Sequence, residues 1–595
     1  MKYQKIIIKK INEATSIGQK YVIEYHMHWD SVAGNYRLIP SYAVAKQNIK
    51  KKQKTWIGEL IEHYKFVDGK DLGEKNPKWL QDDYVKFIRF AQWKIEQAGG
   101  GIIGLITNHS YLDNPTFRGM RQSLMKSFDE IHILDLHGNS LKKERCPDGS
   151  KDENVFDIQQ GVAIALFVKK KGAKNEPKVF HSESWGLREI KYDWLEKNDI
   201  KTTIWKRITP KSEFHLFVPR EEKLLALYDK YPKITEVFPI NSVGVVTSRD
   251  SFVIDSDKEA LKRRIGRFID EKMPDEVIRQ ELGLNDKPNW KLKEVRKKVR
   301  KDEDRENSIT QILYRPFDTQ WILYHDEVIE RSRKEVMRHM LQKNIGLCVG
   351  RAGQVVGLEK PWNIVFLSEH IMDFNMFYRG GELLFPLYVY PDTDKRDLFS
   401  HTRKHEKKKP NIKPEILQAL TDFYKKEPEP QEIFHYVYAV LYANTYRTKY
   451  AEFLKIDFPR IPFTKDYGLF KKMGEYGKEL VDLHLLRFED KTIAKFQGKN
   501  GNVVEKLKYD EKQRRVYINK DQYFEGVPNE VWEYQIGGYQ VSEKWLKDRK
   551  TRRLSVEEIK KYCQIVTALQ RTIEVQKEID KIYPEVEKDV VTMKK

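Results

Sequence analysis

The stretch Trp79–Thr107, WLQDDYVKFIRFAQWKIEQAGGGIIGLIT, contains the change of hydrophobic period that decides the fold class. Leu80, Tyr84, Phe87, Ile88 and Ala91 recur at helical spacing, so residues 79–98 are expected to form an amphipathic helix. Gly99–Gly101 stop it, because glycine weakens a helix interior and accepts the backbone of a helix end. Ile102–Thr107 is then a short apolar run of the kind that makes a buried strand. Further out, the loop Asn108–Thr116 leads into a second helix through Ser127, and Ile131–Leu136 and Val162–Val168 are two more apolar strands. A polar stretch, Gly138–Asp157, separates those two strands. Alternation of strand and helix predicts a three-layer α/β domain.

The rest of the chain reads differently. Residues 1–38 carry little pattern beyond a short strand candidate at Ile6–Ile8. Residues 171–235 mix short strands and turns, and Asp255–Glu306 is charge-rich and reads as exposed helices. Ile309–Asp392 is aromatic and β-prone. A charged linker, Thr393–Lys413, precedes a region with helices at Phe434–Ala443 and Ser555–Lys581, the latter opened by a capping box of Ser555 and Glu558.

Composition narrows the class of function. The 595 residues are 40% hydrophobic and 12% aromatic, enough for several ordinary cores. No run of about eighteen apolar residues exists, so no membrane span is expected, and the N-terminus lacks the apolar stretch of a secretory signal. Three widely spaced cysteines (Cys146, Cys348, Cys563) suit a reduced, cytoplasmic protein without a disulfide framework or a paired-Cys zinc motif. His26, His28 and Asp30 form an H-x-H-x-D cluster with no second ligand group beside it in sequence, so no metal centre is expected. With 109 Lys+Arg against 89 Asp+Glu the formal charge is +20, which suits a polyanionic partner. The surplus is spread over clusters at Lys50–Lys54, Lys291–Arg305, Arg403–Lys409 and Lys544–Arg553. Each taken singly suits a solvated helix face; together they suggest a long groove for nucleic acid.

The most informative short segment is Ile39-Pro40-Ser41-Tyr42. It resembles the catalytic loop of amino-group DNA methyltransferases, Asn/Asp-Pro-Pro-Tyr/Phe. In such a loop an aromatic ring stacks on a base flipped out of the duplex, while an amide or carboxylate accepts from its exocyclic amine. Tyr42 fits the stacking position and Pro40 the first proline. Ile39 stands where the acceptor belongs and has no hydrogen-bonding atom, and Ser41 replaces the second proline.

Several further segments extend the resemblance. They are Asp68–Trp79, Ile106–Leu112 with Phe117–Arg121, Asn154–Val162, Tyr314-Arg315-Pro316-Phe317-Asp318, Phe385–Tyr388, Tyr446–Tyr450 with Phe458–Pro462, and Gln535–Val541 with Lys544–Leu546. In this order they are similar to the single-polypeptide type I restriction-modification enzymes, the type ISP family, over about residues 40–585.

The resemblance implies an α/β, partial Rossmann-like methyltransferase domain over 39–200, behind a poorly defined segment 1–38. It implies an α+β target-recognition domain over 201–425 and a C-terminal specificity region with helices over 426–595. The catalytic positions would be Ile39, Pro40, Ser41 and Tyr42. Asn108 and Tyr111 would line the catalytic cleft. Phe156 suits packing against the flipped nucleotide and equally suits ordinary core packing. Arg315, and Arg351 in Gly350-Arg351-Ala352-Gly353, are candidates for DNA contacts, although that lone Gly-x-x-Gly also reads as a loop turn. The cofactor implied is S-adenosylmethionine, but residues 1–38 offer no donor-binding loop, and no phosphate loop of a motor occurs. Double-stranded DNA is the expected partner, with a separate polypeptide as a possible source of donor-binding, helicase and nuclease parts. Three accounts remain open: a part of an adenine-specific methyltransferase inactive alone, one half of an enzyme in two pieces, and a sequence-specific DNA-binding module without catalysis. A protein-interaction scaffold is the alternative outside this class.

Overall fold

Strand pairing and burial reveal what the sequence pattern leaves open. The structure, a computed structural model, describes residues 26–30, 35–39, 56–72, 77–141, 144–172, 176–210, 214–219, 222–350, 362–377, 381–391, 408–489, 491–499 and 501–592. The chain divides into two units, Met1–Glu221 with Gly357–Glu359, and Glu222–Val356 with Lys360–Lys595.

The first unit is built on a five-stranded mixed sheet. Its helices are α1 (Trp56–Glu62), α2 (Asp83–Ala98), α3 (Arg118–Ser127) and α4 (Arg188–Lys197). Its strands are β1 (Gly101–Asn108), β2 (Glu130–Asp135), β3 (Val162–Lys169), β4 (Lys178–Glu183) and β5 (Lys206–Ile208), in the order β1-β3-β2-β4-β5. The three apolar strands read from the sequence are present within a residue of their expected bounds, and the helix ends at Ala98 as expected but begins at Asp83, four residues late, after a 3-10 turn at Lys78–Gln81. Gly99 ends α2 in the left-handed conformation, φ 72°, its N–H returning to the Ile95 carbonyl.

β3 runs antiparallel to both neighbours, and β2 runs parallel to β4. Its first six residues are buried without alternation, which requires cover on both faces of the sheet. On one face Ile103, Leu105, Ile131, Ile133, Ala163 and Ala165 pack with α2 and α3 through Val85, Ile88, Met120 and Leu124. On the other, Leu134, Leu136 and Ile164 pack with α4 through Tyr192 and Leu195. The expected three layers are there. A hairpin that the sequence does not announce, His26–Asp30 with Asn35–Ile39, places Ile39 at the end of its second strand.

The second unit has one extensive core, joining residues from Tyr228 to Val591. β6 (Ser242–Val243), β10 (Gly346–Val349), β11 (Val365–Ser368) and β13 (Leu383–Pro386) form one sheet. β7 (Ile254–Asp255), β8 (Ile309–Arg315), β9 (Asp318–Leu323) and β12 (Ile371–Met372) form a second, and β14–β17 (Lys495–Gln497, Lys508–Asp510, Arg515–Tyr517, Tyr523–Glu525) a third. The charge-rich stretch after 255 folds into α5 (Lys258–Ile269), α6 (Asp275–Leu282) and α7 (Leu292–Lys301), each of which buries an apolar stripe. The division of the chain falls at Glu221/Glu222 rather than near 200. Residues on both sides of 425, such as Leu420 and Phe434, share a core, so the expected break there runs through packed structure.

The helices α8 (Pro430–Tyr442), α9 (Tyr467–His484) and α10 (Val556–Val586) carry much of that core. The Ser555–Glu558 capping box opens α10 as expected. His484 accepts from the Tyr438 hydroxyl at 2.6 Å and meets Thr572 at 3.0 Å. Burial, with Arg447 nearby, depresses its imidazole to about 3 and keeps it neutral. α8 and α9 cross at Gly477, where an added Cβ would stand 1.8 Å from the His435 carbonyl oxygen. Gly477→Ala must therefore push two helices apart. The expected result is a loss of about 2–3 kcal/mol of unfolding free energy, read by chemical denaturation; an unchanged midpoint would contradict this packing.

Candidate functional site

In the first unit the carboxyl ends of β1, β2 and β4 lie along one edge of the sheet, because all three run opposite to β3. Open α/β sheets bind ligands at this edge, where the side chains of successive turns converge. His109 follows β1, Asp135 ends β2 with His137 two residues on, and Glu183 ends β4 directly opposite Asp135. His109 Nδ1 lies 3.0 Å from Asp135 Oδ1, and the Asn139 amide 3.2 Å from His109 Nε2. His137 Nδ1 lies 3.4 Å from Glu144 Oε1 and its Nε2 3.3 Å from Glu183 Oε2. The His137 N–H donates to Asp135 at 2.9 Å, and the His137 ring stacks on Trp185.

Burial disfavours charge in this cluster, yet its partners prevail. Burial alone lowers the His137 imidazole, but hydrogen bonds to Glu144 and Glu183 and the charge of Asp135 bring it up to about 9. Burial likewise opposes ionisation of Asp135, while His109 and His137 hold it well below the usual carboxylate range. Among the described residues, His109, Asp135 and His137 are the group whose ligand atoms approach closely enough to hold a metal ion.

The residues singled out from the sequence sit around this edge in different ways. Asn108 is half-buried, its side-chain oxygen accepting from the Ser110 N–H at 2.8 Å. Tyr111 is fully buried, and its carbonyl accepts from Arg121 at 2.6 Å. Its ring offers no surface to a ligand. Phe156 is half-buried against the core that covers β2 and β3, its N–H donating to Asn154 at 2.8 Å. Ile39 is described only as part of its strand, and Pro40, Ser41, Tyr42 and Arg351 lie outside the described residues. His109, Asp135, His137, Glu144 and Glu183 were not legible as a group. Asp135 and His137, spaced to flank a strand end, were the one local signal.

In the second unit a cleft of about 490 Å³ is lined by Tyr314, Arg315, Gln320, Tyr539, Lys544 and Arg552, among others. It unites two segments chosen from distant parts of the sequence. Tyr539 comes from the Gln535–Gln540 hairpin, whose Gly537, φ 61°, approaches Phe377 too closely for any side chain. Arg315 pairs with Asp373 at 2.8 Å, its guanidinium 4.0 Å over the Tyr314 ring. Lys544 and Arg552 pair with Asp548 and Glu558 at 3.4 and 3.1 Å near the surface.

Behind Arg315, burial raises Asp373 to about 6 against the opposing pull of Arg315. Burial, helped by Asp373, raises Glu382 to about 7. For both carboxyls the folded state holds the proton more tightly than the unfolded chain, so their contribution is full at low pH and lost as pH rises through these values. The wild type is therefore expected to lose stability between about pH 4.5 and 7. Glu382→Gln should flatten that decline and gain on the order of 2 kcal/mol at pH 8. Thermal unfolding across pH reads it, and parallel profiles for the two proteins would refute the assignment.

Residues 236–578 match the family described as the Type ISP C-terminal specificity domain. No curated protein matches the sequence. Among solved structures, the ATP-dependent Type ISP restriction-modification enzyme LlaBIII bound to DNA is 21% identical with a TM-score of 0.64, covering 87% of this chain and 35% of its own. A nuclease-deletion mutant of the Type ISP enzyme LlaGI with a DNA substrate mimic is 21% identical, TM-score 0.60, covering 88% and 42%. The DrdV–DNA complex is 22% identical, TM-score 0.59, covering 86% and 53%. The chain thus spans from about a third to about half the length of the structures it resembles.

Proposed function

The chain belongs to the Type ISP C-terminal specificity family, and on that premise we propose that it binds duplex DNA and reads the target site of a restriction-modification system. The observation that carries this reading is the cleft where Arg315, Lys544 and Arg552 converge in a protein of net charge +20. Two kinds of cation meet there. Arg315 and Asp373 are both largely buried and pair at 2.8 Å, so Arg315 stays in place as part of the cleft wall. Lys544 and Arg552 hold exposed pairs, worth about 0–1 kcal/mol each, and exchange them for phosphate at little cost. Release of condensed counterions then drives binding. Gln320 and the tyrosines supply hydrogen-bonding edges of the kind that read bases.

The first unit is read as the DNA-facing part of an adenine-specific methyltransferase domain, in keeping with its sheet and with the degenerate loop at Ile39–Tyr42. S-adenosylmethionine is the donor this implies. The described residues do not fit it. The turn from Asn108 to Phe117 contains no glycine, and its Ser110 and Thr116 N–H groups are taken by Asn108 and Asn114. No methyl-transfer step is routed through these residues. A donor-binding part in further sequence or in a separate polypeptide would complete the domain, and binding without catalysis is the reading for the described residues alone.

Lys544→Glu combined with Arg552→Glu is expected to weaken duplex binding at least tenfold on specific and scrambled DNA alike. The slope of log affinity against log salt should become shallower by about two, roughly 0.9 for each lost phosphate contact. Filter binding over a salt series reads both quantities, and an unchanged slope would remove the cleft from the interface. With labelled donor the protein alone should transfer no methyl group to duplex DNA; incorporation would overturn the division of labour.

A further inference from the structure

We propose that His109, Asp135 and His137 form a binding site for a first-row divalent cation, zinc foremost, at the carboxyl edge of the first unit's sheet. The site is independent of the DNA reading. Its first support is the orientation of the rings. Both imidazoles turn Nδ1 toward Asp135: His109 at 3.0 Å from Oδ1, and His137 at 3.7 Å from Oδ2. Both turn Nε2 outward to a fixed partner, Asn139 for His109 and Glu183 for His137. A metal-bound histidine typically has this arrangement, one nitrogen on the ion and the other on a carboxylate or carbonyl. An amide presents either oxygen or nitrogen by a half-turn. With its oxygen toward His109 Nε2, Asn139 accepts that proton and leaves the Nδ1 lone pair to the cation.

Spacing and charge supply the rest. Zinc bonds of about 2.0–2.2 Å place neighbouring ligands of a tetrahedral ion roughly 3.4 Å apart. The three ligand atoms lie within 4.8 Å of one another, and Glu144 Oε1 stands 3.4 Å from His137 Nδ1 as a candidate fourth. Asp135 is buried and Glu144 partly so, and among the described residues neither has a lysine or arginine partner. Binding would displace the proton that His137 otherwise holds, and the two carboxylates would then balance the charge of one divalent cation. Imidazole with carboxylate favours zinc and its first-row neighbours over magnesium or calcium.

The rings are also held in advance. The His109 N–H donates to the Gly161 carbonyl at 2.9 Å, and a Cβ at Gly161 would come within 2.3 Å of the His109 ring. Trp185 backs His137 with ring centroids 3.3 Å apart. Ligands fixed in this way lose little freedom on binding.

Protein purified without chelator is expected to contain about one zinc per chain by elemental mass spectrometry. Stripping with a chelator should lower its thermal midpoint, and added zinc should restore it. Cobalt(II) in place of zinc should give a visible ligand-field band in the wild type. His137→Asn and Asp135→Asn should each lose the metal and the band, and His137→Asn should no longer respond to chelator. Should a variant fail to fold, the wild-type chelation and cobalt arms still decide. Folded wild-type protein that holds no metal, gives no band and keeps its midpoint through chelation and zinc addition would overturn the site. Loss of DNA binding in a protein that still binds zinc would count against the specificity reading alone.

Discussion

Lys191 and Asp152 meet at 2.7 Å with both side chains shut off from solvent, and the loops of the first unit are arranged around that pair. A buried ammonium is tolerated only when its donors are answered. Here the Lys191 Nζ also donates to the carbonyls of Leu136 at 2.8 Å and Glu153 at 2.6 Å. Asp152 in turn accepts from the N–H groups of Gly138 at 2.7 Å and Gly186 at 2.9 Å. One ion pair thereby fixes the start of α4, the chain leaving β2, the chain leaving β4 and the loop before β3. His137 lies between Leu136 and Gly138, and Trp185 precedes Gly186. The positions of both follow from the pair. Removing either partner of such a pair leaves an unanswered charge, at about 3–5 kcal/mol.

The same device recurs on a larger scale. Arg121 is wholly buried and gives its guanidinium to the carbonyls of Tyr111, Asn114 and Phe214, holding the turn after β1. In the second unit Arg549 bonds Asp318 at 2.7 Å and Glu558 at 3.0 Å, tying β9 to α10. Arg296 closes the ends of α5 and α6 by donating to the carbonyls of Phe268, Asp270 and Met273. Each of these arginines belongs to a motif or basic cluster visible in the sequence. The surplus of cations is thus of two kinds: a few arginines hold the fold from inside, and others, such as Lys544 and Arg552, stand near the surface, where the proposed DNA binding would use them.

What the sequence made legible follows from locality. Apolar runs and their glycine stops are local, so β1, β2, β3 and the end of α2 could be read within a residue, as could the Ser555 cap of α10, whereas the start of α2 lies four residues later than its apolar spacing suggests. Whether a residue faces in or out of a turn is not local. Asn108 and Tyr111 look alike as loop residues, and only the 3-10 turn between them carries Tyr111 into the core. The polar cluster was hidden for a stronger reason. Glu183 reaches Asp135 through the parallel register of β4 on β2, and His109 meets Gly161 because β1 pairs with β3. Pairings between distant segments carry no signature in one sequence. The extent of the second core is hidden for the same reason: the charged stretch Thr393–Lys413 reads as a linker, whereas Leu387 before it and Ile416 after it belong to one core.

The two sites differ in what their surroundings permit. The cluster at the sheet edge is largely enclosed: Asp135 and Glu144 are mostly shut off from solvent, and every ring is held by a backbone or aromatic neighbour, with Glu183 the exposed member. A group so enclosed cannot exchange its partners without opening the loops that Lys191 and Asp152 fix. Such a site suits a permanent occupant that adds rigidity. The cleft of the second unit has the opposite character. Its wall is a buried arginine pair, but its rim is made of ion pairs worth about 1 kcal/mol or less, which water, salt and phosphate can all displace. Weak, replaceable contacts on a fixed wall are what a protein needs to hold DNA loosely, move along it and stop where the base edges fit. The proposed recognition therefore suits the open cleft, and the proposed cation site suits a structural role within its own unit.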